Sequence, residues 1–120
     1  MNRPTPKELY NKLKEAKETL STQRISIINP VSFAADALDL GYLIADIKTI
    51  LLDLFNEINP SHYAGHKPPQ RSYENKIRGC ELFAFQWEST VLGCNVYFKF
   101  ALQDGCLWLV SLHRSRDKGE

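Results

Sequence analysis

The hydrophobic pattern of the chain changes near residue 80, from a helical period to the alternation of strands. In the first run, apolar side chains recur at helical spacing and would form one buried stripe: Leu9, Leu13, Ala16 and Leu20. Beyond residue 80, apolar residues alternate with polar ones or run continuously, as in half-buried and fully buried strands. The change predicts an α+β fold, in which N-terminal helices pack on one face of a C-terminal antiparallel β-sheet.

Capping signals divide the N-terminal half into three predicted helices. Thr5 and Asn29 are each followed by proline, which suits the first position of a helix. Gly41 is expected to end the second helix, because glycine readily adopts the left-handed conformation found there. The third predicted helix, residues 42–58, has the widest apolar face, so we expect it to be the main helix on the sheet. The β-branched run at residues 24–28 predicts an edge strand or an extended link.

Three predicted strands follow, at residues 81–87, 95–102 and 106–112. Residues 103–105, Gln-Asp-Gly, are a turn signal, and the length of the turn sets the register of the last two strands. A three-residue loop places Tyr97, Lys99 and His113 on one face. A two-residue loop places His113 on the face of Val96 instead. The sequence leaves both registers open.

Composition indicates a globular protein of one domain, residues 1–120, with 43% apolar and 24% charged residues. No apolar run approaches the roughly 20 residues of a membrane span, and the N-terminus leads into a polar helix rather than a signal peptide. The three cysteines lack a Cys-x-x-Cys spacing, so we expect reduced thiols and a cytoplasmic protein. The net charge of +1 argues against a generally basic nucleic-acid binder, although a local basic surface remains compatible with it.

Residues 60–79 form a long segment with neither a helix nor a strand pattern, which in a compact domain is usually functional or mobile. Its histidines, His62 and His66, flank a glycine in a proline-rich stretch, and no third ligand has a recognisable spacing. We therefore predict neither a metal site nor a cofactor. The segment is cationic, with Glu74 as its one acid, and its candidate binding side chains are His66, Lys67, Gln70 and Arg71.

A site built from Lys, Arg, His, Tyr and Gln side chains is able to cleave RNA without a metal ion. RNA carries its own nucleophile, the 2′-hydroxyl, so the protein must remove its proton, stabilise the phosphorane and protonate the leaving 5′-oxygen. Each residue also has a simpler interpretation. Tyr97 and Lys99 suit the open face of a strand, His113 suits a strand end, and Arg114 and Arg116 suit a solvated C-terminal segment.

Several short segments occur in an order shared with a known family. One helix begins behind Thr5, and residues 24–28 precede an alanine-rich helix that ends at Gly41. Residues 93–99 read Gly-Cys-Asn-Val-Tyr-Phe-Lys, and residues 110–113 read Val-Ser-Leu-His. In these features the sequence resembles the MqsR-type toxins of bacterial toxin–antitoxin systems, which belong to the RelE-like mRNA interferases.

The resemblance implies a RelE-like fold and a type II toxin, a metal-independent endoribonuclease that cleaves mRNA, free or on the ribosome, and has a cognate antitoxin as partner. Tyr97 carries over as a functional position, and His113 does so by location with a changed residue type. Lys67 is the nearest substitute for a family lysine, where this chain has Ala64. The candidate catalytic residues are Tyr97, His113 and Lys67, and the candidate substrate-binding residues are Lys99, Arg71, Arg114, Arg116, Gln70 and His66.

Two departures from the family pattern support a rival hypothesis. The family has a Trp-Gln pair that is missing here, so Gln70 or Gln86 would have to take its place. The net charge is also close to neutral. The rival is a non-catalytic interaction domain of the same fold that binds a partner protein through residues 60–79.

Overall fold

The computed structural model describes residues 3–115 and has an α+β fold with N-terminal helices and C-terminal strands. Within these residues the α-helices are α1 (Pro6–Ser21), α2 (Pro30–Leu40) and α3 (Ile47–Glu57). The strands are β1 (Ile25–Ile27), β2 (Phe83–Ser89), β3 (Cys94–Gln103) and β4 (Cys106–Arg114). Nowhere in the described part is there a helix with the length and apolarity needed to cross a membrane.

The helix caps lie where the sequence predicts them. The Thr5 side chain accepts a hydrogen bond from the backbone N–H of Glu8 at 3.1 Å, and the Asn29 side chain accepts one from Ser32 at 3.2 Å. Gly41 follows α2 with a φ of +93°, a left-handed value that suits glycine. These local signals confirm the predicted starts of α1 and α2 and the predicted end of α2.

The third helix begins later than predicted. The backbone N–H of Tyr42 donates to the carbonyl of Ala37 at 3.0 Å, so this residue completes the turn that ends α2. Leu43 is extended, and a short 3-10 turn at Ile44–Asp46 precedes α3. Helix α2, along β4, packs most extensively on the sheet, which corrects the expectation for the third helix. Helix α3 contacts the sheet through Phe55, whose ring lies edge-on to two phenylalanines of β3, with centroid distances of 5.7 and 5.8 Å.

The C-terminal strands β2, β3 and β4 pair in antiparallel fashion, as predicted, and β1 adds a parallel pairing that makes the whole sheet mixed. Its strand order is β1-β4-β3-β2, and β1 pairs with β4 in parallel while the other neighbours are antiparallel. Residues 24–28 thus contain an edge strand. A parallel pair is joined by a long crossover rather than a tight turn, so no local signal marks the partner of β1.

Different parts of the chain pack on the two faces of the sheet. One face, with Phe85, Phe98 and Phe100 fully buried, packs against the helices and forms the main core. On the other face, a smaller cluster lies under the segment before β2, with Ile77, Leu82 and Ala101 at its centre. This second cover spans only part of the sheet and leaves the end that carries Tyr97 partly open.

Candidate functional site

The hairpin of β3 and β4 forms the centre of the candidate site, and its turn settles the register. Asp104 and Gly105 have φ values of +53° and +70°, so both lie in the left-handed region. Two consecutive left-handed residues make the tight turn that matches the twist of an antiparallel pair. Gln103 consequently pairs with Cys106, so the loop has two residues and the three-residue alternative is wrong.

A β-bulge then returns His113 to the face of Tyr97. The register shifts between Lys99 and Phe100, where β4 contributes one extra residue, Val110. Beyond the bulge, Tyr97 pairs with His113. The face expected only from the longer loop is therefore reached through a two-residue loop followed by a bulge.

The rings of Tyr97 and His113 stack, with centroids 5.3 Å apart and planes inclined by 26°. Nδ1 of His113 lies 3.0 Å from the carbonyl oxygen of Arg114. Since a carbonyl only accepts, Nδ1 carries the proton of the neutral ring and the lone pair is on Nε2. Burial raises the pKa of the Tyr97 phenol, so its hydroxyl stays protonated at neutral pH. The pair therefore offers a proton acceptor beside a proton donor.

A cavity of about 130 Å³ lies between the sheet and the segment of residues 60–79, and its wall includes Tyr97 but not His113. The sheet contributes Tyr97 and Lys99, and the segment contributes the polar residues His66 and Gln70. The remaining lining residues are small or apolar: Ala64, Gly65, Leu82 and Ala84. Drug-sized ligands occupy pockets of about 300–1,000 Å³, so this cavity suits a small polar group beside a cation.

Backbone pairing holds the segment against the outer edge of β2. The N–H of Ala64 donates to the carbonyl of Ala84 at 2.8 Å, and the N–H of Leu82 donates to the carbonyl of Gln70 at 2.8 Å. These contacts fix the two ends of the stretch that lines the cavity. The distance between the loop side chains and the sheet is thus set by main-chain hydrogen bonds.

Within that stretch, Gly65 is required by a close approach. The Tyr63 side chain folds back over Gly65, and its hydroxyl donates to the carbonyl of His66. A Cβ atom at position 65 would lie 2.6 Å from the Tyr63 oxygen, closer than real Cβ atoms come to any neighbour. Any larger residue would force the end of the Tyr63 side chain to shift.

Two basic candidates of the loop lie apart from the stacked pair. Arg71 donates from Nη1 to the carbonyl of Gly79 at 2.8 Å and so closes the loop on itself. Lys67 is exposed and follows His66 in the chain. The structure therefore brings His66, rather than either cation, to the cavity wall.

The C-terminal arginines are not gathered at the site. Arg114 faces the helices, where its Nε lies 3.3 Å from Oδ2 of Asp39 and its Nη2 donates to the Asp39 carbonyl at 3.1 Å. It lies on the opposite side of β4 from His113, as the alternation of a strand requires. Arg116 lies outside the described residues.

Strand β2 adds two residues to the site face. Gln86 pairs with Tyr97, and Ala84 pairs with Lys99. The family resemblance left Gln86 as an alternative to Gln70, and nothing in the sequence analysis singled out Ala84. The signal was present, because the alternation of β2 places positions 84 and 86 opposite its core-facing phenylalanines.

Among residues 3–115, no three His, Cys, Asp or Glu side chains are grouped closely enough to hold a metal ion. His62 accepts a hydrogen bond at Nδ1 from the backbone N–H of Asn59 at 3.1 Å, so it caps the turn after α3. The cysteines are all free thiols: Cys80, Cys94 and Cys106. His62 thus has a structural role, and neither His62 nor the cysteines belong to the stacked pair.

The site thus combines a stacked Tyr–His pair, a lysine and a small polar cavity on the partly open face of the sheet. No protein-family model matches the chain, and no curated protein matches it. Its function is therefore inferred from this geometry, together with the segments that resemble the MqsR-type toxins.

Proposed function

We propose that the protein is a metal-independent endoribonuclease that cleaves mRNA, the toxin of a bacterial type II toxin–antitoxin system. The observation that carries the proposal is the stacked pair Tyr97–His113, with Lys99 on the same face beside the cavity. These side chains supply a proton acceptor, a proton donor and a cation, the groups that cleavage by the 2′-hydroxyl needs. The resemblance adds a cognate antitoxin as partner and the cytoplasm as the place of action.

In the proposed reaction, Nε2 of His113 removes the proton from the 2′-hydroxyl of the substrate. The 2′-oxygen attacks the adjacent phosphorus, and the Lys99 ammonium neutralises negative charge on the phosphorane. The bond from phosphorus to the 5′-oxygen then breaks, and the Tyr97 hydroxyl protonates that oxygen. The products are a 2′,3′-cyclic phosphate and a 5′-hydroxyl.

The segment beside the sheet binds the substrate in this proposal. His66 and Gln70 line the cavity and can hydrogen-bond the phosphate or the sugar. Lys67 and Arg71 do not line the cavity, so in this proposal they add positive charge along the segment, and Arg71 keeps guanidinium donors beyond the one used within the loop. Arg114 has no substrate-binding part here, because it is paired with α2 on the other face.

The experiment measures RNA cleavage both by the purified protein and in bacterial cells. Purified protein is incubated with single-stranded RNA and a metal chelator, and the products are analysed for cyclic phosphate ends. In parallel, expression in a bacterium is followed by growth and by the integrity of its transcripts. We expect growth arrest and transcript cleavage, both relieved by His113→Ala and by Tyr97→Phe.

Two controls separate the chemistry from side effects. His62→Ala removes a histidine that caps a turn away from the stacked pair, and cleavage should survive it. RNA with a deoxynucleotide at the cleaved position should resist, because it lacks the 2′ nucleophile. Unchanged growth with intact transcripts, or cleavage that persists in His113→Ala, would contradict the proposal.

One observation favours the rival function, a non-catalytic domain that binds a protein through residues 60–79. Tyr73 in this segment is 83% exposed, and exposed aromatic side chains are enriched at protein interfaces. The rival predicts that Tyr73→Ala abolishes the biological effect while His113→Ala leaves it unchanged. The nuclease hypothesis predicts the opposite result: His113→Ala abolishes the effect and Tyr73→Ala leaves it unchanged. Measuring the two variants side by side therefore decides between the functions.

A further inference from the structure

A second surface, formed by the end of α2 and the start of α3, exposes apolar side chains that the proposed site does not use. Within residues 3–115, the large apolar side chains that are strongly exposed include four between positions 31 and 52: Val31, Leu38, Leu43 and Leu52. Leu38 is 66% exposed and Leu43 is 60% exposed. Val31 lies at the opposite end of α2 and Leu52 lies within α3, so Leu38 and Leu43 are the exposed pair at this corner. Adjoining exposed apolar side chains mark interaction sites more often than scattered single residues do.

Two of these leucines border a groove of about 420 Å³, which we call the corner groove. It is lined by Leu38, Gly41, Tyr42, Leu43, Asp46 and Ile50. The left-handed Gly41 turns the chain sharply, which is why side chains from both helices converge at this corner. The volume lies within the range of about 300–1,000 Å³ that binding pockets occupy.

The wall of the corner groove contains an unpartnered polar atom. Tyr42 is only 8% exposed, and its hydroxyl has no hydrogen-bond partner within the described part of the chain. Leaving a buried hydroxyl unpaired costs about 1–3 kcal/mol. The oxygen itself is buried, so the missing hydrogen bond is a cost to the fold and not a contact point for a ligand.

The surroundings of the groove are acidic. Of the four aspartates between positions 30 and 53, Asp39 is paired with Arg114 and Asp53 does not line the groove, so Asp46 and Asp36 supply the negative charge here. Asp46 lines the groove itself, and Asp36 is close enough to Tyr42 to contribute, after burial, to the raised pKa of that phenol. Negative charge repels RNA and membranes rich in anionic lipids, whereas it attracts basic peptides.

We propose that the corner groove docks an amphipathic, basic helix of a partner protein. Apolar side chains of that helix, at helical spacing, enter between Leu38 and Leu43. Lysines or arginines at its margin face Asp46 and Asp36. The proposal rests on this surface alone and does not depend on the nuclease.

The test selects peptides of roughly 15 residues, about four turns of helix, from a displayed random library with the full-length protein as bait. We expect enriched peptides to carry an apolar row at helical spacing bordered by Lys and Arg. Affinity is then measured for Leu38→Ser and Leu43→Ser, with Val91→Ser as the matched control, since Val91 is 44% exposed in the β2–β3 turn. Each groove variant should weaken binding by about tenfold, and the control should not.

Charge is tested by Asp46→Asn against Asp53→Asn, an exposed aspartate that does not line the groove. Only Asp46→Asn should weaken binding, and added salt should weaken binding to the wild-type protein. Acidic enriched peptides, affinity insensitive to both leucine substitutions, or no enrichment at all would overturn the proposal. A dimer seen by analytical ultracentrifugation and lost in Leu43→Ser would also overturn it, because a second copy would then occupy the groove.

Discussion

Two polar clusters lie on opposite faces of the sheet, at the same end. They differ in how much of their hydrogen-bonding capacity is used by other protein atoms. On the helix face, the Glu57 carboxylate accepts hydrogen bonds from Trp87 Nε1 at 2.9 Å, Ser89 Oγ at 2.7 Å and the Val91 backbone at 2.9 Å. On the open face, Tyr97 and His113 stack instead. Trp87 precedes the β2–β3 turn, one residue along the strand from the partner of Tyr97.

The difference separates polar groups that build the fold from those available to a substrate. Glu57 anchors the end of β2 and the β2–β3 turn to α3, so its hydrogen-bonding capacity is directed at protein atoms. The stacked pair keeps the His113 Nε2 lone pair and a protonated phenol for other partners. We therefore expect substitutions in the first cluster to change stability and substitutions in the second to change chemistry.

The largest expected effect is that of His113→Ala. If His113 is the general base, its removal should lower kcat for RNA cleavage by about 10²–10⁴-fold. The free energy of unfolding should change by no more than about 0.5 kcal/mol, because the side chain lies on a partly open face. Single-turnover cleavage and urea denaturation measure the two quantities. A large loss of stability would mean that the stacked pair stabilises the fold, and the two polar clusters would then not differ in role.

Glu57→Gln should have the opposite signature. The amide would place an NH₂ group against the Val91 N–H or forfeit the other two hydrogen bonds, so we expect a loss of about 1–3 kcal/mol in unfolding free energy. The kcat of the folded variant should not change. The matched control is Glu88→Gln, which changes an exposed glutamate of β2 and should leave stability intact. A fall in kcat without destabilisation would contradict this assignment.

Glu57 also predicts a pH dependence of stability. Burial opposes its ionisation, but the hydrogen bonds from Trp87, Val91 and Ser89 outweigh burial and hold the pKa below its usual range. The pKa in the folded state is then below the unfolded value of about 4.3, so the stabilisation is complete above that pH. It is lost as the pH falls through the folded pKa. Glu57→Gln should flatten the acid side of the stability profile measured by denaturation between neutral and acid pH.

The starts of α1 and α2 and the end of α2 were predictable because their signals are local, whereas α3 begins without a side-chain cap and its start was misplaced. Thr5, Asn29 and Gly41 act through neighbours within one turn, so the sequence carries both the signal and its partner. The parallel pairing of β1 was not predictable on the same basis. Ile25 pairs with Leu107, far along the chain, and no turn residue between them announces the contact.

The candidate site was predictable in its composition but not in its register. Tyr97, Lys99 and His113 could be placed on one face, yet the loop that was expected to do this is not the one that forms. Leu109 and Leu112 are both fully buried although they are three positions apart, which a regular strand cannot achieve on one face. That spacing, rather than any glycine or proline, was the available sign of the bulge.

Tyr97→Phe should have a smaller effect than His113→Ala. It removes the hydroxyl but keeps the ring that stacks on His113, so stability should be unchanged and cleavage should slow by about 10–100-fold. The remaining reaction should then depend on the basicity of the leaving group. RNA with a sulfur in place of the leaving 5′-oxygen needs no proton donor, so it should be cleaved equally by both proteins. An equal loss of rate on both substrates would exclude Tyr97 as the proton donor.

The smallest expected effect concerns Tyr42, whose polar atom is neither used by the fold nor part of the proposed nuclease site. Tyr42→Phe should raise the free energy of unfolding by about 1 kcal/mol, because it removes a buried hydroxyl that has no partner within residues 3–115. Tyr10→Phe is the control, since Tyr10 is 60% exposed and should be neutral. Thermal denaturation measures both variants. A stability loss in Tyr42→Phe would show that the hydroxyl has a partner in solution and is satisfied like Glu57.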